Sequence, residues 1–310
     1  MDVVAGLKFR DPHRTAAGDE RARVDLVELE TLWFNTGSLC NLECRNCYIE
    51  SSPTNDRLAY ISRAEVANYL AEIRREGLPV REIGLTGGEP FMNPDIIGIL
   101  EDCLAGGFEV LVLTNAMKPL HHKKSGLLDL RKQYGATLKL RVSVDHYCLE
   151  THETERGGQS WAPMIEGLTW LAQNGFHISI AGRTFAADGE EDLRRGYQTL
   201  FDDLSLGLDA FDPVQLVLFP EMDDKAEVPE ITTACWDILG VSPDAMMCSN
   251  SRMIVKHRGE AGLSIMPCTL LPYDRRFDMG QSLKDMGKTV SLNHPHCAKF
   301  CVLGGASCSG

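Results

Sequence analysis

Between residues 31 and 219 the chain alternates strand-like apolar stretches with amphipathic helical ones, and this alternation limits the possible folds more than any other feature. Residues 31–36 read as a strand. Ser62 then caps a helix, Glu65 completes a capping box, and Val66, Tyr69, Leu70 and Ile73 form an apolar stripe that Gly77 and Pro79 end. Residues 81–86 are the second strand. Asn93 and Pro94 open the next helix, Gly106 and Gly107 stop it, and residues 108–115 form a buried strand. A helix over 127–134 precedes a fourth strand. There Leu138, Leu140, Val142 and Val144 alternate with Lys139, Arg141, Ser143 and Asp145, giving one apolar and one polar face. Helix 161–174, strand 177–183, helix 190–204 and strand 213–219 complete the series.

Six strand and helix units in this order predict an α/β fold with a parallel sheet. The expected architecture is a partial (β/α)6 TIM-like barrel over residues 31–221, with chemistry on the loops at the C-terminal ends of its strands. A doubly wound sheet would give a similar periodicity. Residues 1–30 are polar and aperiodic, and read as an arm or short hairpin outside the barrel. No leader-recognition domain is apparent there. After Pro220 the alternation stops, and residues 222–310 read as a small cysteine-rich subdomain with a hairpin over 252–257 and 263–267.

A chain of 310 residues, 44% of them hydrophobic, can bury a barrel-sized core. Its formal net charge of −13 argues against a nucleic-acid partner, because phosphate contacts need surplus Lys and Arg. The small basic cluster of His121, His122, Lys123 and Lys124 reads as a solvated loop. The longest apolar runs have strand length, so no membrane partner is expected. The first residues lack the basic flank and apolar core of a secretory signal, which makes the expected location cytoplasmic. Eleven cysteines are many for a reducing compartment, and an odd number fits a full disulfide framework poorly. Metal ligation is their natural use.

Cys40, Cys44 and Cys47 form a C-x3-C-x2-C set on the loop after the first strand. Three thiolates on one short loop can hold three corners of a four-iron cube and leave the fourth iron open. A structural zinc site wants a fourth ligand, and this loop lacks one. About forty residues on, at the end of the second strand, stand Gly87, Gly88, Glu89 and Pro90. Together the triplet and this GGEP turn resemble the signature of the radical S-adenosylmethionine (SAM) superfamily. The resemblance continues through TNA at 114–116, SVD at 143–145 and ETHETERG at 150–157, and covers roughly residues 31–220.

The resemblance implies a SAM-binding [4Fe–4S] cluster on Cys40, Cys44 and Cys47 and a GGEP loop whose backbone carbonyls receive the SAM amino group. By position it assigns Ser143 to the SAM ribose and Arg183 to its carboxylate, with Asn115, Asp145 and Arg156 as further contacts. For Arg183 the plain alternative is a surface ion pair, and Asn115 and Arg156 have similar ones. Many members carry an aromatic residue just before the third cysteine. Here Asn46 stands there and Tyr48 follows the cysteine, which weakens any assignment of adenine packing.

Cys248, Cys268, Cys297, Cys301 and Cys308 follow in the tail, two of them flanking the hairpin. This pattern resembles the SPASM and Twitch branch, whose C-terminal cysteines bind auxiliary iron–sulfur clusters. The full SPASM set has seven cysteines, so one auxiliary [4Fe–4S] cluster is expected, with one of these five thiols spare. His257, His294 and His296 could substitute, and a zinc knuckle is the alternative. Cys103 falls on an apolar helix face and reads as core. Cys148 and Cys235 are candidate hydrogen-atom donors, with inert thiols the commoner case. The implied activity is reductive SAM cleavage by a reductant such as flavodoxin or ferredoxin, followed by hydrogen abstraction and oxidation of a peptide or small-molecule substrate. A redox-neutral epimerase or isomerase, and a non-catalytic iron–sulfur or zinc module, are the competing classes.

Overall fold

The computed structural model describes residues 8–185, 189–221 and 227–305. Strand β1 (Arg23–Val24) lies in the arm, and β2 (Thr31–Asn35), β3 (Glu82–Thr86), β4 (Glu109–Thr114), β5 (Leu138–Ser143), β6 (His177–Thr184) and β7 (Leu216–Pro220) are the six barrel strands. Three short strands follow: β8 (Ser251–Val255), β9 (Ser264–Met266) and β10 (Val290–Ser291). The helices are α1 (Arg63–Glu76), α2 (Ile96–Ala105), α3 (Lys118–His121), α4 (Lys124–Tyr134), α5 (Leu149–Arg156), α6 (Trp161–Gln173), α7 (Glu190–Asp203) and α8 (Cys235–Leu239).

Strands β2 to β7 are parallel and lie side by side in chain order. A doubly wound sheet would reverse that order at a switch point. With no reversal, right-handed crossovers put the connecting helices on one side, which is the partial barrel expected from the alternation. The sheet ends at β7 on one edge and β9 on the other.

Local sequence accounts for most boundaries. Ser62 and Glu65 make the reciprocal capping box of α1, and Gly77 ends it in the left-handed conformation. Two expectations shift. Helix α2 starts at Ile96: the Asn93 side-chain oxygen accepts from the Asp95 amide at 2.9 Å in a turn ahead of the helix, while its Nδ2 donates to the carbonyls of Thr36 and Ile61. The basic cluster forms the junction of α3 and α4, not a solvated loop. His121 is largely buried beside Glu166, and the Lys124 ammonium sits 4.9 Å above the Trp170 ring.

The hairpin forms as β8 and β9 and joins the main sheet. Strand β8 pairs in parallel with β2, setting Thr31 opposite Ser251 and Trp33 opposite Met253, and all five β8 residues are buried. The arm packs across the same side of the molecule through β1, which pairs with β10. It is anchored by a buried Arg21–Glu230 ion pair at 2.5 Å. Among the described residues no helix is long and apolar enough to cross a membrane.

The middle of the sheet is filled by Trp33, which is fully buried and lies over its cross-strand partner Gly84. A Cβ at Gly84 would lie 2.3 Å from the indole ring. Gly84→Ala is therefore expected to destabilise the fold by about 1–3 kcal/mol, the usual range for overpacking. Anaerobic urea unfolding checks this, and an unchanged midpoint would show that the ring does not rest on this glycine.

Candidate active site

The loop carrying the three cysteines leaves β2 and is pinned at once to the end of β3. The Thr36 amide donates to the Thr86 carbonyl at 2.8 Å, that of Gly88 to Gly37 at 2.8 Å, and that of Glu89 to Leu39 at 3.1 Å. So close an approach requires glycine. A Cβ at Gly87, whose φ is +141°, would lie 2.5 Å from the Gly37 carbonyl oxygen, and one at Gly88 only 2.1 Å from that of Leu39. The two motifs that stand forty residues apart in sequence thus share one stretch of backbone pairing.

Cys40, Cys44 and Cys47 line one cavity at the C-terminal ends of the strands, together with Gly87, Gly88, Asn115, Ser143, Asp145, Arg156 and Arg183. It measures about 1010 Å³ including the part open to solvent. Burial pushes the Cys40 thiol up to about 12, helped by the nearby Glu89 carboxylate, and burial also raises Cys44. Such thiols give up their protons to a metal far more readily than to water. The Cys40 sulfur accepts from the Leu42 amide and that of Cys47 from the Ser51 amide, each at 3.4 Å.

Glu89 and Pro90 do not line the cavity. The Glu89 carboxylate is buried and accepts from the Phe91 amide at 3.1 Å, the Thr114 hydroxyl at 2.9 Å and the Asn115 amide at 2.8 Å. It therefore ties the turn to the end of β4. Burial pushes it up to about 7 against these hydrogen bonds. Pro90 opens the short 3-10 turn Pro90–Met92 beside it. Asn115 is held by the same strut and donates to the Asn41 side chain at 3.0 Å.

Opposite the cysteines, Asp145 stands between two guanidiniums, 3.1 Å from Arg156 and 3.7 Å from Arg183. Burial alone would raise Asp145, but the two cations outweigh it and hold the carboxylate below its ordinary value. Two cations and one anion leave a net positive charge facing the cavity. Two buried donors, Arg183 Nε and Arg156 Nε, and one buried acceptor, Asp145 Oδ2, have no hydrogen-bond partner. Arg183 is thus paired inside the cavity, not at the surface.

Some contributors were not found from sequence. Helix α5 was seen only as a motif, and its buried Glu155 accepts from the Asn46 side chain at 2.8 Å, while its carbonyl accepts from the Arg45 amide. Asn46 therefore ties the cysteine loop to α5. Phe219 and Phe300 line the far wall, stacked with centroids 5.4 Å apart. Phe219 ends an expected strand and could have been suspected; Phe300 carries no local signal.

A second, tighter pocket, about 350 Å³ including space open to solvent, gathers Cys248, Cys268, Cys297 and Cys301 among apolar side chains that include Met246, Leu270 and Leu292, with His296 also at its wall. Cys308 lies outside the described residues. Cys297 and Cys301 fall on one segment, Cys297–Val302, and Cys248 and Cys268 bracket the β8–β9 hairpin. Among the described residues no three His, Cys, Asp or Glu side chains converge tightly enough to hold a single metal ion. Each set of thiols lines one pocket. Cys103 is fully buried in the core, and neither Cys148 nor Cys235 lines the first cavity.

A barrel with a three-thiol loop over a cationic pocket defines an iron–sulfur protein of the SAM-binding kind, and comparison with known proteins agrees. The radical SAM superfamily profile matches residues 34–195. The chain belongs to that superfamily. It is 32% identical over 153 residues to the antilisterial bacteriocin subtilosin biosynthesis protein AlbA of Bacillus subtilis (strain 168), covering 49% of this chain and 32% of that one. It is 27% identical over 144 residues to a probable GTP 3′,8-cyclase of Saccharolobus solfataricus, covering 45% and 42%. The alignments thus span less than half of either relative.

Among solved structures, Streptococcus suis SuiB bound to the precursor peptide SuiA matches with a TM-score of 0.57 at 13% identity, covering 79% of this chain and 61% of that one. Histidine-tagged anSMEcpe with bound AdoMet matches with a TM-score of 0.58 at 14% identity, covering 83% and 77%. At these identities the likeness establishes the fold.

The packing of Gly88 against Leu39 sets the position of the cysteine loop. After anaerobic assembly, Gly88→Ala is expected to lose as much iron as Cys40→Ala, measured by iron and sulfide quantification. Full iron content in Gly88→Ala would show that the loop does not depend on this contact.

Proposed function

We propose that this chain is a radical SAM oxidoreductase that acts on a peptide or small-molecule substrate with the help of one auxiliary [4Fe–4S] cluster. The observation that carries this reading is the convergence of three thiols, a side-chain-free backbone stretch and a net-positive arginine pair on one cavity at the barrel mouth. When bound, the cluster and SAM supply one-electron cleavage of the sulfonium C–S bond, giving methionine and a 5′-deoxyadenosyl radical that abstracts hydrogen.

The protein's part is placement. Cys40, Cys44 and Cys47 would hold the cluster and leave one iron for SAM. The backbone of Gly87 and Gly88 would receive the SAM amino group, Arg183 and Arg156 its carboxylate, and Ser143 its ribose. Phe219 and Phe300 keep water from the far side. Cys248, Cys268, Cys297 and Cys301 are the proposed auxiliary ligands. The division into an arm (1–30), a barrel (31–221) and an auxiliary-cluster segment (222–310) belongs to the same reading, as does a cytoplasmic reductant such as flavodoxin or ferredoxin. A bacteriocin biosynthesis protein and a peptide-bound enzyme among the similar proteins support a peptide substrate.

Anaerobically reconstituted protein is expected to release 5′-deoxyadenosine only when a reductant is present, and Cys44→Ala should abolish it. Arg183→Met should raise the KM for SAM about tenfold or more, as expected for losing a charge-assisted hydrogen bond. Reductant-independent release, or none from protein holding its full iron, would overturn the proposal. Iron-loaded protein with no measurable SAM binding would favour an electron-transfer module.

A further inference from the structure

Arg252 is fully buried on β8, immediately behind the second set of cysteines. Its Nε donates to the Met286 carbonyl at 2.9 Å, and Nη1 to the carbonyls of Cys248 at 2.5 Å and Ser251 at 2.7 Å. Nη2 reaches that of Lys288 at 3.5 Å. Among the described residues no carboxylate forms an ion pair with it, whereas the chain's other fully buried arginine, Arg21, has Glu230. Carbonyl dipoles satisfy the donors of a buried guanidinium but do not neutralise its charge, and an uncompensated buried charge is expensive. The thiols of Cys248 and Cys268 are the ionisable groups that face it.

We infer that Arg252 is the counter-charge of an iron–sulfur cluster held by Cys248, Cys268, Cys297 and Cys301, and that it raises the potential of that cluster. The inference rests on the auxiliary-cluster reading above. Four thiolates outnumber the positive charge of a four-iron core, so such a cluster is anionic, and accepting one electron makes it more so. A fixed cation behind the Cys248 ligand therefore stabilises the reduced form more than the oxidised one. Met246, Met247, Leu270, Leu271 and Leu292 make most of the surrounding wall apolar and keep the local dielectric low, with His296 the one ionisable side chain there besides the thiols among the described residues. The hydrogen bond to the Cys248 carbonyl fixes the cation at the ligand's own residue, so the charge cannot swing away to solvent. The consequence is a cluster poised to accept an electron from an oxidised substrate radical, not merely to brace the fold.

The test uses full-length protein with Cys40, Cys44 and Cys47 all changed to alanine, assembled anaerobically, so that only the C-terminal site can hold iron. Its midpoint potential is followed by electron paramagnetic resonance during titration with dithionite. In this background Arg252→Gln is expected to lower the ratio of reduced to oxidised cluster at fixed potential about tenfold, or ~59 mV for a one-electron couple. Arg252→Lys, which keeps the charge but not the fork of donors, should stay close to the parent. An unmoved potential in Arg252→Gln, or an equal fall in Arg252→Lys, overturns the inference and leaves Arg252 a structural clamp. If Arg252→Gln fails to retain iron, cluster retention by Arg252→Lys supports the charge role, and its failure overturns it. A parent without iron overturns the auxiliary-cluster reading itself, an outcome distinct from four irons with an unmoved potential.

Discussion

Everything at the barrel mouth hangs on the pairing of backbone 36–39 with backbone 86–89. Parallel strands β2 and β3 bring these segments side by side, and the pairing runs past the strand ends because Gly87 and Gly88 present no Cβ to the carbonyls of Gly37 and Leu39. Cys40 is the next residue along. The thiol loop therefore starts from a fixed point, and Glu89 extends the same brace to the end of β4 through the hydrogen bonds it accepts from Thr114 and Asn115. A cluster loop that floated free would have to be ordered by its metal alone; here the sheet does part of that ordering before any iron arrives.

The electrostatics of the two cavities follow different designs. At the barrel mouth two arginines share one aspartate, so their positions are fixed while one positive charge is left over for a ligand carboxylate. Around the C-terminal cysteines the walls are apolar, and the nearest cation is held by carbonyls alone. The first arrangement suits the binding of a charged small molecule. The second suits a permanently buried, redox-active group. Phe300 joins them physically, because it lies between Cys297 and Cys301 in sequence yet walls the first cavity against Phe219.

The sheet was largely legible because each strand announces itself locally. The alternation of Leu138, Leu140, Val142 and Val144 with Ser143 and Asp145 gave both the strand and the face that looks into the cavity. Capping at Ser62 and Glu65 did the same for α1. What misled was local chemistry with a tertiary competitor: Asn93 has the form of a helix cap, but its side-chain oxygen closes a turn on the Asp95 amide ahead of α2 and its Nδ2 ties two loops together. Glu89 was legible as part of a motif yet not as a strut, since its partners Thr114 and Asn115 come from another strand.

By itself the sequence determined the strand and helix order, the identity of the two cysteine groups and the polar face of β5, since each depends on residues close together in the chain. Tertiary structure alone decided that the late hairpin extends the barrel sheet beside β2, and that four of the tail's cysteines meet in one cavity. It also decided that Asp145 lies between Arg156 and Arg183, that Phe300 faces Phe219, and that Arg252 is buried with no carboxylate partner among the described residues. Most of these contacts join residues far apart in the chain, as where Thr31 meets Ser251. Their geometry is set by how strands pair and cross over, and no local periodicity encodes it.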